Sequence, residues 1–187
     1  MAGAAVQWLR DEMELITKAS ETEAIARSIP DTAGVYVVPA FTGLGAPHWN
    51  MQARAAILGL TRGAGKKHII RATLEGIVYQ VNDVLQLMMQ ESGVSLSALK
   101  VDGGACANDF LMQFQADILN IELIRPQNVD STALGAALLA GIGSGFWQAD
   151  DLPQGVTAVD KHFNPMMDHA SRQQKCAGWT AAVKRVM

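Results

Sequence analysis

The chain has 187 residues, 49% of them hydrophobic and 18% charged, with a formal net charge of −3. That length supports one substantial core, and the mildly acidic balance argues against a general nucleic-acid binder, which carries a basic stripe. Two cysteines, Cys106 and Cys176, are too few for a disulfide framework and point to a reducing compartment.

Val6, Leu9, Met13 and Ile16 recur at helical spacing and predict a first helix over residues 2–19. It carries Arg10, Asp11, Glu12 and Glu14, so this end does not read as a signal peptide. A shorter helix over 21–29 stops at Pro30. Residues 35–38 read as a buried strand, 39–54 as a long ordered loop rich in Gly, Pro and aromatics, and 55–60 as a second strand before a turn at 61–67. Ile70, Leu74, Ile77, Val78, Val81, Val84, Leu85 and Met88 then mark a long helix with a wide apolar stripe, in which 87–89 reads as core. No apolar run approaches the ~20 residues needed to span a bilayer, and the expectation is a cytoplasmic protein.

The second half opens on the segment richest in chemistry. Leu99 and Val101 alternate with polar neighbours as in a half-buried strand. Gly103 and Gly104 follow, removing two Cβ atoms where a chain turns sharply or a ligand approaches the backbone. Asn108 stands where it can cap a helix Asp109–Leu119. A helix N-terminus with free N–H groups suits phosphate or a nucleotide, although the same motif also fits a purely structural turn. Residues 121–125 read as a strand. A small-residue helix over 132–144 carries Ala133, Gly135, Ala136, Ala137, Ala140 and Gly141 for close backbone packing, and Phe146 and Trp147 close it. A loose acidic stretch, 150–161, leads to a last helix over 167–186. Strands interleave with helices, so the fold class is α/β. Four strands make a small sheet with an uncovered edge, which is the pattern of the later part of something larger.

Several groups carry less than they suggest. Arg62, Lys66, Lys67 and Arg71, like Lys184 and Arg185, read as solvated faces. Cys106 lacks a C-x-x-C partner and reads as a small buried hydrophobe. His48, His68, His162 and His169 show no metal-ligand spacing. Trp8, Trp49, Trp147 and Trp179 read as anchors; Trp49, beside Pro47 and His48, is best placed for a contact at a lobe or subunit interface. The Gly-Gly turn is not G-x-G-x-x-G, which excludes a dinucleotide oxidoreductase.

As a set the motifs resemble a known family. Ala55-Ala56-Ile57-Leu58-Gly59-Leu60, seven residues, then His68-Ile69-Ile70-Arg71-Ala72-Thr73-Leu74-Glu75 is similar to the second signature of the FGGY carbohydrate kinases. Phe41-Thr42-Gly43-Leu44-Gly45-Ala46-Pro47-His48-Trp49, Gly59-Leu60-Thr61-Arg62-Gly63 and Phe110-Leu111-Met112-Gln113-Phe114-Gln115-Ala116-Asp117 are similar to that family's glycerol-kinase branch rather than to its pentulose kinases. The resemblance covers the whole chain and matches the family's C-terminal half. It implies an actin-like (ribonuclease H-like) ATPase fold, with this chain as the second lobe of a two-lobe kinase, cut short at its N-terminal strands. The main ATP-binding body would span 1–148, and 149–187 would be an extension with the last helix.

The resemblance further implies ATP with Mg²⁺ as cofactors. Gly3 and Gln7 on the first helix would contact ATP, Gly104 and Asn108 the adenosine part, and Ala105 would lend its backbone. The catalytic aspartate, the glycerol-binding residues and the first phosphate loop belong to the family's N-terminal lobe, and a Gly-Thr-Gly turn would precede residue 1. None of those motifs is in this sequence, so the chain alone is expected to be inactive. Asp102, Asp109 and Asp117 match no catalytic position, and Asp102 reads as a residue that stabilises the turn or supports the site from behind. The whole protein would phosphorylate glycerol to glycerol 3-phosphate and would self-associate. The alternatives are the lobe of another sugar or polyol kinase, or a non-catalytic module that binds nucleotide or a partner. The stretch 168–176 departs from the family pattern, so no regulatory contact is carried over there.

Overall fold

The computed structural model describes residues 2–148, 150 and 158–187. The first helix, α1 (Ala2–Asp11), is shorter than its apolar spacing predicts. Met13 N and Glu12 N both bond Trp8 O (3.0 and 3.1 Å), and Glu14 turns left-handed at φ 50°. The chain doubles back so that Ile16 packs beside Leu9 and Ile70. Burial of Ile16 through a turn, rather than along a helix, accounts for the misread length. α2 (Glu21–Arg27) follows and ends just ahead of Pro30 as expected.

β1 (Tyr36–Val38) pairs antiparallel with β2 (Ala56–Leu58), placing Val37 opposite Ile57. Against this hairpin lies α3 (Lys66–Ser92), which begins three residues before its first apolar residue, Ile69, with Gly65 N–H held by His68 Nδ1 at 3.0 Å. Gly76 is what lets α3 rest on β1: a Cβ there would stand 2.2 Å from Val37 O. Within α3, Leu85 is buried but Met88 is exposed, so the 87–89 turn is not core as its composition suggested. The helix outruns the elements packed on it.

β3 (Ala98–Lys100) runs parallel to β4 (Glu122–Pro126), joined through α4 (Asp109–Leu119). β4 pairs antiparallel on its other side with β5 (Val159–Phe163), giving the order β3-β4-β5. β5 is a fifth strand that the sequence reading assigned to a loose stretch. Four of its five residues are exposed and charged or polar groups fill its centre, so it shows little apolar alternation. Of that stretch, 151–157, like Ala149 at the proposed domain boundary, lies outside the described residues.

α5 (Ser131–Gly143) has its expected small residues, yet no residue of it is buried. The close packing expected of it is therefore not made among the described residues. Its closure is as anticipated: the Trp147 ring folds back where a Gly141 Cβ would stand 2.2 Å away. α6 (His169–Val183) starts at Asp168, whose side chain accepts from Ser171 N at 2.9 Å, and buries Trp179. The core centres on Tyr79, stacked on Trp179 (5.2 Å) and edge-on to Phe114 (5.6 Å). Phe163 and Trp179 belong to the same cluster as the α3–α4 core, so β5 and α6 are packed onto it. No described helix is long and apolar enough to cross a membrane.

Candidate functional site

After β3 the backbone stays paired: Val101 N bonds Ile124 O (3.0 Å) and Gly103 N bonds Val129 O (2.7 Å). Gly103 then adopts φ 81°, a conformation that favours glycine. Residues Gly104–Ala107 form a single 3₁₀ turn, closed by Cys106 N on Gly103 O (3.0 Å) and Asn108 N on Ala105 O (3.2 Å). Asn108 caps α4 as its position predicts, its Oδ1 accepting from Leu111 N at 2.9 Å.

The turn is braced from beneath. Arg125 donates to Cys106 O (2.7 Å) and to Asp109 Oδ1 (2.8 Å), and Lys161 reaches Asp109 Oδ2. The Lys161 ammonium, joined by Arg125, holds the Asp109 carboxyl below its usual range. Asp102 accepts from the Ser131 hydroxyl, tying the turn to the start of α5 and fitting the stabilising role read from the sequence. Cys106 is buried, and burial pushes its thiol up, away from a reactive thiolate.

One cavity of about 640 Å³ opens above this turn. Gly3 and Gln7 of α1 line one side, and Gly104, Ala105 and Asn108 line another, so the residues singled out from the sequence share one space. A Cβ at Gly3 or Gly104 would meet no atom within 4 Å. Both glycines leave the cavity open without being needed for packing.

The α4 N-terminus, expected to offer free amides, has two of them already engaged. Asp109 N–H is taken by Glu23 Oε2 (3.0 Å) and Leu111 N–H by Asn108. A carboxylate already sits at the positive end of the helix dipole. The cation near the cavity, Arg10, is paired with Asp11 at 2.6 Å. This wall suits a neutral polar ligand portion, such as a nucleoside, better than phosphate. Thr22 and Glu23 were missed because their partners lie 86 residues away in sequence. Arg71 was also misread. Instead of joining a solvated basic face it pairs with buried Glu75 (2.9 Å) and donates to Ala26 O and Ile29 O at the end of α2.

A second cavity of about 530 Å³ lies alongside, sharing Ala2 and Ile77 with the first. Its polar groups are Gln80, His48 and Asp83; Asp83 accepts from Trp179 Nε1 (2.7 Å), and His48 Nε2 stands 3.5 Å away from it. Trp49 is exposed on the same loop. No group of three His, Cys, Asp or Glu side chains among the described residues could hold a metal ion. His162 instead meets Glu122 at 2.7 Å.

The mixed α/β lobe, with its glycine turn capped by Asn108, is of the actin-like ATPase class that sugar and polyol kinases share. The model of the FGGY family of carbohydrate kinases, C-terminal domain, matches residues 1–144, and the chain belongs to that family. It is 56% identical over its whole length to the glycerol kinase of Thermoanaerobacter sp. (strain X514), of which it covers 38%. It is 58% identical over 185 residues to the glycerol kinase of Fusobacterium nucleatum subsp. nucleatum, of which it covers 37%. The crystal structure of Plasmodium falciparum glycerol kinase with ADP matches all of the chain and 37% of that protein at a TM-score of 0.88 and 38% identity. A xylulose kinase from Lactobacillus acidophilus shares the fold, at a TM-score of 0.80 over 98% of this chain and 38% of its own. The chain thus spans under two-fifths of the length of these relatives.

Proposed function

We propose that this chain is the ATP-binding lobe of a glycerol kinase. The observation that carries the reading is the convergence of Gly3, Gln7, Gly104, Ala105 and Asn108 on one cavity. The choice of glycerol rests on relatives of that name at 56–58% identity. In this reading residues 1–148 are the nucleotide-binding body, and 149–187 is an extension that adds β5 and α6. The bare backbone at Gly3 and Gly104 takes the flat face of the nucleoside. The amides of Gln7 and Asn108 can bond to ring or ribose edges. ATP supplies the γ-phosphoryl group that the whole protein passes to a glycerol hydroxyl, giving glycerol 3-phosphate.

This chain's part is to bind and orient. Transfer to an alcohol needs a carboxylate at the hydroxyl and a cradle for the phosphates. Asp109 is engaged by Arg125 and Lys161, and Asp102 lines the nucleoside cavity with one oxygen held by Ser131, so in this reading neither serves as that carboxylate. Nor do the residues around the cavity fit a protein-built Mg²⁺ cage; that ion keeps waters and binds mainly through substrate phosphates. A cytoplasmic setting, in keeping with two free cysteines, and self-association of the whole protein belong to the same proposal.

The test is ATP-dependent glycerol 3-phosphate formation by the chain, with and without the N-terminal portion of the Thermoanaerobacter relative. Product only in the mixture is expected. Product from the chain alone would mean that a catalytic carboxylate lies within it, and no product from either would argue for a non-catalytic module.

A further inference from the structure

We infer that α2 sets the chemistry Asn108 offers to the ligand: Thr22 orients the amide so that an N–H donor is left for the cavity, and Glu23 holds the turn in register. The inference rests on reading the cavity as a nucleoside site. An Asn amide is nearly symmetric in shape, so its neighbours decide which end is oxygen. Two neighbours decide here, from opposite sides.

Leu111 N–H needs an acceptor, which makes the capping atom Oδ1. On the other side Nδ2 stands 3.1 Å from Thr22 Oγ1. That hydroxyl spends its proton on Ala19 O at 2.7 Å, so toward Asn108 it can only accept. Thr22 is 1% exposed, which denies the hydroxyl a turn toward solvent. Nδ2 carries two protons, and the second has no acceptor among the described residues, on a side chain that lines the cavity. The ligand atom it meets must therefore be an acceptor, such as a ring nitrogen or a ribose oxygen.

Glu23 completes the device. Its Oε2 accepts Asp109 N–H at 3.0 Å, and Arg27 steadies its Oε1 at 3.0 Å. The carboxylate fixes the first turn of α4 and keeps phosphate away from it. Thr22 and Glu23 are positioning residues, since both act through the Asn108 turn.

The test compares Thr22→Val, Thr22→Ser and Asn108→Asp in this chain. ADP affinity is read by calorimetry and the Asn108 side-chain NH₂ pair by ¹⁵N NMR. Thr22→Val keeps the shape and removes the acceptor, so it should weaken ADP about five- to tenfold and shift the NH₂ pair. Thr22→Ser should behave as the parent. Asn108→Asp keeps the cap, loses the donor and sets a carboxylate oxygen against the Thr22 hydroxyl, so it should melt lower than the parent and lose ADP binding by a similar factor or more. Should Thr22→Val fail to fold, Asn108→Asp decides, and its unchanged ADP affinity would overturn the inference. Equal impairment in Thr22→Ser and Thr22→Val would overturn it too, because packing would then be the cause. A parent chain that binds no ADP would sink the nucleoside reading, while the NH₂ pair of the ligand-free Thr22→Val chain still decides the positioning: an unshifted pair overturns it.

Discussion

Replacing Gly3 or Gly104 by alanine separates ligand contact from folding. At both positions the added methyl meets no protein atom within 4 Å, and neither backbone has the positive φ that would strain an L-residue. Gly3 lies in α1, where alanine is the better helix former by about 0.5–1 kcal/mol. For a chain of this size that raises the melting temperature by roughly 1–4 °C. A nucleoside lying against these backbones would meet the methyl directly. Overpacking of that kind costs about 1–3 kcal/mol, a loss of about 5- to 150-fold in affinity. Calorimetric titration with ADP, paired with thermal melts, should show Gly3→Ala melting higher and binding more weakly. Gly104→Ala should melt near the parent and also bind more weakly. As a contrast, Gly76→Ala would drive its Cβ to 2.2 Å from Val37 O and should fail by unfolding. Parental ADP affinity in both Gly3→Ala and Gly104→Ala would refute the placement of the nucleoside against these backbones.

Three further outcomes follow from paired or buried charge. Asp109, with its carboxyl held low by Lys161 and Arg125, adds stability that is present above the ordinary carboxylate range and lost as pH falls through the lowered value. Asp109→Asn should therefore destabilise the chain at pH 7, with a deficit that begins to shrink below about pH 4 and closes as pH falls through the lowered value. Asp83 shows the opposite sign: burial pushes its carboxyl up, against the hydrogen bond from Trp179 and the nearby His48. The fold thus favours its protonated form, and Trp179→Phe, which removes an N–H donor, should cost about 1–3 kcal/mol at pH 7 and less at pH 4 in denaturant titrations. Glu75→Leu alone leaves the Arg71 guanidinium without its carboxylate and should cost about 3–5 kcal/mol; Arg71→Leu should cost less, because Lys175 Nζ still stands 3.8 Å from Glu75 Oε2. The double variant should cost less than the sum in a double-mutant cycle.

What could be read from the sequence was local. Asn108 was legible as a cap because capping is decided within four residues, and the turn before it because two adjacent glycines have few other uses. Gly3 and Gln7 carry no such local signature; on a helix surface they look like any small and any polar residue, and only the family resemblance singled them out. α1 was overread because Leu9 and Ile16, seven apart, keep helical spacing while Ile16 reaches the core through a turn. β5 was missed because an edge strand with polar faces has little apolar pattern to show. Thr22, Glu23 and Arg71 were invisible or misjudged for one reason: their roles come from partners 42–86 residues away.

The central claim, that the cavity above the glycine turn holds the nucleoside, is met most directly by amide hydrogen exchange with and without ADP. Slowed exchange confined to residues 3–7 and 103–108 is the expected result. Protection instead at 43–48 and 80–85, which line the neighbouring cavity, or protection nowhere, would contradict it.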